Sequence, residues 1–348
     1  MNIIFNKIED CYKNKTPFVA YKKPNSREVA AFFMKDDFLI FTSEFSEKGF
    51  VFAPFNSEEK AILFPEEKAE FIKENISFEE DFSFNDDFDD VDSNKKEHIS
   101  LIEKALDKIN QKELKKVVIS REETIKLSSF NLLLVFKKLL KTYANAFVYV
   151  WYHPKVGLWF GATPETLLNI SDTNFKTMSL AGTQVYEVSN KVTWKSKELD
   201  EQQLVTDFIE SQLKSISNNL IIDKAETVKA GNLLHLRTSV KGILNKDASL
   251  KELINRLHPT PAVCGLPRKS AKDFINYNEN YKRTFYTGFL GELNFENKKS
   301  SLFVNLRCMS IKDKIASIYI GGGITKDSCA KKEWEETVSK SKTMKKVL

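Results

Sequence analysis

The order in which apolar periodicity changes along the chain is its strongest constraint on fold. From Lys95 a helical spacing runs through Ile99, Ile102, Ala105, Leu106 and Ile109. A strand reads at 115–123, K-K-V-V-I-S-R-E-E, and a helix at 129–143. Two further strands, 144–152 and 157–160, form a hairpin around His153-Pro154. A long helix covers 196–218, with Leu204, Val205, Phe208, Ile209, Leu213 and Ile216 on one face. Strands then follow at 286–296, 300–311 and 314–321, and a last helix runs from Ala330 to the C-terminus. Strands and helices thus come in mixed runs without strict strand–helix–strand alternation. That pattern predicts an α+β fold with antiparallel sheets rather than a doubly wound parallel one. Residues 1–78 read as short aromatic strands and turns, such as F-V-F-A-P-F at 50–55.

Composition narrows the function classes. With 348 residues, 42% hydrophobic and 29% charged, the chain has ample material for a large core. No stretch reaches ~18 uninterrupted apolar residues, so no membrane span is expected. The N-terminus carries acids early and has no signal-peptide apolar region. The cysteines Cys11, Cys264, Cys308 and Cys329 are scattered, which predicts reduced thiols and a cytoplasmic protein rather than a disulfide or zinc framework. The net charge of +5 hides an acidic run at 79–92 with eight acids and no base. The remaining lysines are interspersed with acids and form no stripe with interleaved aromatics, so no nucleic-acid partner is expected. The acidic run itself reads as an exposed loop whose Phe78, Phe82, Phe84 and Phe88 could dip into a partner surface. The 12 glycines are lopsided: Gly49 stands alone in the first 156 residues. Close backbone approach is therefore expected mainly in the second part of the chain.

Several segments carry residue types suited to chemistry. Glu198 and Glu201, and again Glu333 and Glu336, lie three apart on helices, so each pair leaves one face. Two such pairs converging would offer hard oxygen ligands, whereas either pair alone equally suits a solvated face. G-G-G-I-T at 321–325 lies between an apolar strand and the last helix, as an anion-cradling nest or a structural turn. It is not a nucleotide-binding glycine motif. The loop L-H-P-T-P-A-V-C-G-L-P at 257–267 forms a rigid wall around Ala262. Glu165, after a strand and Pro164, suits a desolvated general acid, and Lys116, opening an apolar strand, suits a buried general base. For both, a surface salt bridge is the reading that local sequence alone favours. His235 in L-L-H-L-R-T reads as a hydrogen-bonded core histidine.

In this order, the segments resemble the chorismate-utilising enzymes: isochorismate and salicylate synthases and the large subunits of anthranilate and aminodeoxychorismate synthases. The matching motifs are K-V-V-I-S-R, G-A-T-P-E, L-A-G-T, K-E-L-D-E-Q-Q-L-V, L-H-L-R-T, the 257–267 loop, F-Y-T-G-F-L-G, V-N-L-R, and G-G-G-I-T followed by E-W-E-E-T. The resemblance implies two large antiparallel β-sheets packed as a sandwich with helices on the outside. It also implies one chorismate-binding domain over 1–348, with 1–94 its divergent N-terminal part and 95–348 its catalytic region. By the same resemblance Glu201 and Glu336 would ligate Mg²⁺, supported by Glu198 and Glu333. Gly322 and Gly323 would cradle the ring carboxylate of chorismate. Arg307 and Lys340, aided by Tyr286, would hold the enolpyruvyl carboxylate, and Gly182, His235 and Ala262 lie in substrate-facing motifs. Lys116 would activate water and Glu165 would protonate the departing C4 hydroxyl. Ala262, where amine-adding members usually carry Thr, points to the water-adding branch and hence to isochorismate synthase. Such an enzyme, expected as a monomer, would feed menaquinone or siderophore synthesis. Salicylate synthase, an ammonia-using relative and a catalytically silent scaffold are the alternatives. Gln184 and Leu199 stand where relatives commonly carry Arg.

Overall fold

The computed structural model describes residues 3–77, 82, 84, 94–186, 192–230 and 233–348. Among them, a nine-stranded antiparallel sheet runs in the order Gly265–Leu266, Lys116–Lys126, Ile315–Ile324, Cys308–Lys312, Gly157–Thr163, Phe147–His153, Phe18–Lys22, Glu28–Met34 and Ala69–Asn75. A second sheet runs Ser217–Ile222, Leu233–Leu244, Asn174–Val185, Thr166–Ser171, Lys299–Val304, Phe289–Asn294, Gly49–Ala53, Ala61–Pro65 and Ile40–Thr42, with Glu226–Ala230 also paired to Leu233–Leu244. Residues 18–75 add three strands to the edge of each sheet, so the N-terminal region is built into both.

The sheets meet face to face through an aromatic layer. Val19, Tyr21, Phe32, Phe147, Tyr149 and Trp151 of the first sheet share one core with Phe50, Phe52, Phe64, Leu290 and Phe303 of the second. Phe147 stacks on Phe303 with ring centroids 4.2 Å apart, and Phe64 on Trp151 at 5.3 Å. The alternate residues face outward and are buried as well. Phe18 and Ala20 pack under the helices Ile3–Lys13 and Leu132–Thr142, while Val51, Ala53 and Leu63 lie under Ser196–Leu213 and Leu250–Leu257. Because both faces of these strands are covered, their sequences read as continuous apolar runs rather than alternating ones. Each fully buried Phe or Leu contributes roughly 1.5–3 kcal/mol through removal from water.

The structure redraws three sequence boundaries, two of them next to the cavity described below. The helix expected over 196–218 stops at Leu213, and the chain enters the strand Ser217–Ile222. The run 300–311, read as one strand, is two: Lys299–Val304 belongs to the second sheet and Cys308–Lys312 to the first. The chain crosses between sheets at Asn305–Arg307, where Arg307 has φ 45°. The three glycines 321–323 form no turn. They lie inside the strand Ile315–Ile324, opposite Ser120, Ile119 and Val118. Most of the acidic run 79–92 falls outside the described residues. Of it, Phe82 lies beneath Lys141 and Phe84 beneath Lys138 and Lys346.

Candidate active site

Four pieces of chain converge where the glycine strand runs on past the end of one neighbour. Cys308–Lys312 ends its pairing at Cys308 opposite Tyr319, so beyond that point Ile315–Ile324 keeps a partner strand, Lys116–Lys126, on one side only. The helix Ser196–Leu213 and the helix Ala330–Lys345 approach this stretch. Glycine leaves the room these side chains occupy: a Cβ on Gly323 would stand 2.3 Å from Glu201 Oε1, and one on Gly321 would stand 2.8 Å from the Tyr286 hydroxyl. A cavity of about 120 Å³ opens beside them. Its lining includes Glu165, Gly182, Glu198, Glu201, His235, Ala262, Tyr286, Arg307, Gly323, Glu336 and Lys340, which are eleven of the residues expected from sequence. Lys116 lies immediately behind Gly323, and Gly322 and Glu333 are buried next to it.

Each acidic position has its own environment. Glu201 Oε1 lies 2.8 Å from the Nζ of Lys116, which is completely buried. Burial alone would raise the Glu201 carboxyl, but Lys116, Lys340 and Lys197 outweigh it and hold the group below the usual carboxylate range. Glu336 Oε1 lies 2.6 Å from Lys340 Nζ, and that lysine also donates to the Gly321 carbonyl at 3.0 Å. Glu333 pairs with Lys197, yet burial and the neighbouring charge of Glu336 raise its carboxyl. Glu198 accepts from the backbone N–H of Lys195 at 3.0 Å and so caps its own helix while facing the cavity. Among the described residues, no three acidic, histidine or cysteine side chains stand together as a ready-made metal site. The oxygens nevertheless gather at one place: Gly322 has Glu333 Oε2 and Glu336 Oε1 within 4.0 Å of its missing Cβ, and Gly323 has Glu201. An all-carboxylate set with mutual repulsion suits a hard divalent cation.

The opposite wall carries Arg307 and the groups that position it. Gly182 sits at a register shift in Asn174–Val185 with φ 68°, which turns its carbonyl toward His235. His235 Nδ1–H donates to that oxygen at 3.0 Å, and Nε2 accepts from Arg307 Nη2 at 2.8 Å. Burial, then the charges of Arg307 and Lys340, push the imidazole down to about 3, so it is neutral and can receive the guanidinium. Burial also lowers Arg307, to about 10. The histidine is therefore more than a core residue: it orients the arginine. Glu165, 3% exposed, has its carboxyl raised to about 8 by burial, with Lys116 pulling weakly the other way. It is protonated at neutral pH. Tyr286 is buried against Tyr319 with centroids 5.7 Å apart, and burial raises its phenol.

Two contributors were not anticipated. Lys197 is one; its signal was its place four residues before Glu201 on the same helix. Arg283 is the other. It pairs with Glu279 at 2.5 Å and donates to the carbonyls of Val118 (2.7 Å) and Val263 (2.8 Å). It thereby ties the Lys116 strand to the Ala262 loop, a long-range role with no local signature.

A family model described as chorismate binding enzyme matches residues 56–348 of the chain. The chain belongs to the chorismate-binding enzyme family. Among curated proteins, it is 29% identical over 256 residues to the isochorismate synthase MenF of Pasteurella multocida. That match covers 69% of the chain and 58% of the relative, so the chain spans little more than half the length of that protein. The structure of the menaquinone-specific isochorismate synthase MenF from Escherichia coli superposes with a TM-score of 0.80 at 21% identity, covering 95% of this chain and 88% of that one. Anthranilate synthase component I from Streptococcus pneumoniae superposes at 0.70 and 18% identity, covering 94% and 92%. Enzymes of different named activity thus share this two-sheet fold, so the discriminating features must lie in the site. No described helix is long and apolar enough to cross a membrane.

Proposed function

We propose that the chain is an isochorismate synthase that takes chorismate and adds water at C2 while the C4 hydroxyl departs. The observation that carries this reading is that two fully withdrawn groups of opposite type stand together at the cavity: the Glu165 carboxyl, which keeps its proton to about pH 8, and the amine of Lys116. A water-for-hydroxyl exchange needs one group to take a proton and another to give one. In the proposed reaction Lys116, in its neutral amine form, takes a proton from the attacking water, the ring double bonds shift, and Glu165 delivers its proton to the C4 oxygen, which leaves as water. Arg307, oriented by His235, and Lys340 hold the enolpyruvyl carboxylate with Tyr286. Ala262 leaves the nucleophile side of the cavity without a hydroxyl.

Mg²⁺, when bound, would supply positive charge opposite the ring carboxylate. Glu201 and Glu336 would hold it, with Glu333 and Glu198 behind them. That each of three of these acids already lies beside a lysine supports a cation at this position. The similarity to MenF proteins supports menaquinone synthesis as the destination, and we place the enzyme in the cytoplasm as a monomer.

Incubation with chorismate and Mg²⁺, with and without ammonium, followed by chromatography and a pyruvate assay, tests the reading. Isochorismate without pyruvate is the expected product. Salicylate with pyruvate, or an aminated ring, would refute it. No turnover at all would leave a silent scaffold as the better account.

A further inference from the structure

Among the described residues, two hollows share lining with the reaction cavity, and they differ in charge. One hollow, of about 670 Å³, shares Pro164, Leu180, His235 and Arg307 with the cavity, so the His235–Arg307 pair forms part of the partition between them. Its lining adds Lys229 and Arg237, and no Asp or Glu appears among its described lining residues. Arg237 is paired with Glu226 at 2.6 Å. Lys229 rests on the ring of Tyr186, 3.5 Å from its centroid, and no described carboxylate lies within ion-pair distance of it. The other hollow, of about 560 Å³, shares Lys197 and Glu201 with the cavity, and its lining mixes Asp200, Asp207 and Asp327 with lysines including Lys326.

We propose that the Lys229–Arg237 hollow is the vestibule through which the anionic substrate reaches the cavity, with Lys229 as the residue that concentrates dicarboxylate there. This rests on the functional reading above. A mouth of one sign, walled by protein of low dielectric, raises the local concentration of the opposite charge. The mixed mouth gives a dianion no such gradient. Arg307, which lines both vestibule and cavity, then receives a carboxylate already held at the mouth. The substrate thus passes from one cation to the next without crossing an acidic wall.

The test reverses the same charge at the two mouths. Lys229→Glu should lower kcat/KM for chorismate by about threefold or more and leave kcat unchanged. Lys326→Glu, an equal change in net charge, should alter neither. Lys229→Met should fall between Lys229→Glu and the wild type. All differences should shrink toward 1 M salt, where the Debye length is about 3 Å. Both lysines are exposed, so folding is not at risk. Equal effects of Lys229→Glu and Lys326→Glu, or a loss that persists in high salt, would overturn the vestibule while wild-type turnover stands. A wild-type chain without chorismate turnover would instead overturn the functional reading, and this proposal with it.

Discussion

Replacing Glu165 with Gln should make the protein more stable in alkali while removing its activity. The carboxyl titrates at about 8 in the folded chain against 4.5 when unperturbed, because burial disfavours its charged form. The folded state therefore holds this proton where the unfolded state has lost it, and stability declines as pH rises from about 4.5 to about 8. At 1.36 kcal/mol per pH unit, that interval is worth about 5 kcal/mol. Gln imitates the neutral carboxyl in size and cannot ionise, so the variant escapes the decline. Urea unfolding at a series of pH values between 5 and 9 should show nearly equal stabilities at the acid end. A gap favouring Glu165→Gln should then widen to several kcal/mol by pH 9. In the same range wild-type kcat should fall as Glu165 loses its proton, while the variant shows no turnover at any pH. A stability gap independent of pH would refute the assignment of the raised carboxyl, and full activity in the variant would refute its role as acid.

Lys116→Met should cost at least about 10²-fold in kcat, with circular dichroism confirming an intact fold; near-normal turnover would exclude Lys116 as the base. Gly323→Ala places a methyl 2.3 Å from Glu201 Oε1. It should therefore weaken Mg²⁺ binding, measured by calorimetry without substrate, by about tenfold or more, and unchanged affinity would remove Glu201 from the ligand set. Arg283→Met breaks a nearly fully buried ion pair with Glu279 and should destabilise the chain by about 3–5 kcal/mol. Adding Glu279→Gln should recover part of that loss in a double-mutant cycle; strict additivity would show that the two residues do not act together.

What the sequence made legible, and what it hid, follows from the range of the interactions involved. The antiparallel α+β architecture could be read because strands at 144–152 and 157–160 and the helix from Ala330 are set by local apolar pattern. The crossing at Asn305–Arg307 could not. V-N-L-R-C-M-S-I carries apolar residues on both sides of the break, since the strands it joins are buried in different sheets. That break decides where Arg307 points. The glycines 321–323 suggested a nest from composition, but their conformation is ordinary strand. What matters is the side chains that stand where theirs would be, Tyr286 at Gly321, Glu333 and Glu336 at Gly322 and Glu201 at Gly323, and such proximity has no local signal. The motif acids line or adjoin one cavity, whereas Lys197, which reaches Glu333 on another helix, and the stapling Arg283, which reaches Val118, act across more than a hundred residues.

Three carboxyls in one region show how little residue type and burial alone determine chemistry. Glu165, Glu201 and Glu333 are all withdrawn from water, and burial is the largest influence on each. Glu201 still falls below the usual range because three lysines surround it. Glu333 rises because Glu336 adds a like charge that Lys197 only partly offsets. Glu165 rises furthest, having only the weak pull of Lys116 against its desolvation. The difference between a proton donor and a charged ligand is thus set by where the lysines are held, not by the glutamates themselves. Lys116 is the hinge of this arrangement, since it lowers both Glu165 and Glu201. Its removal would let both carboxyls drift upward together. The contrast between an acid that keeps its proton and a carboxylate that has lost one would narrow, and with it the division of labour the cavity provides.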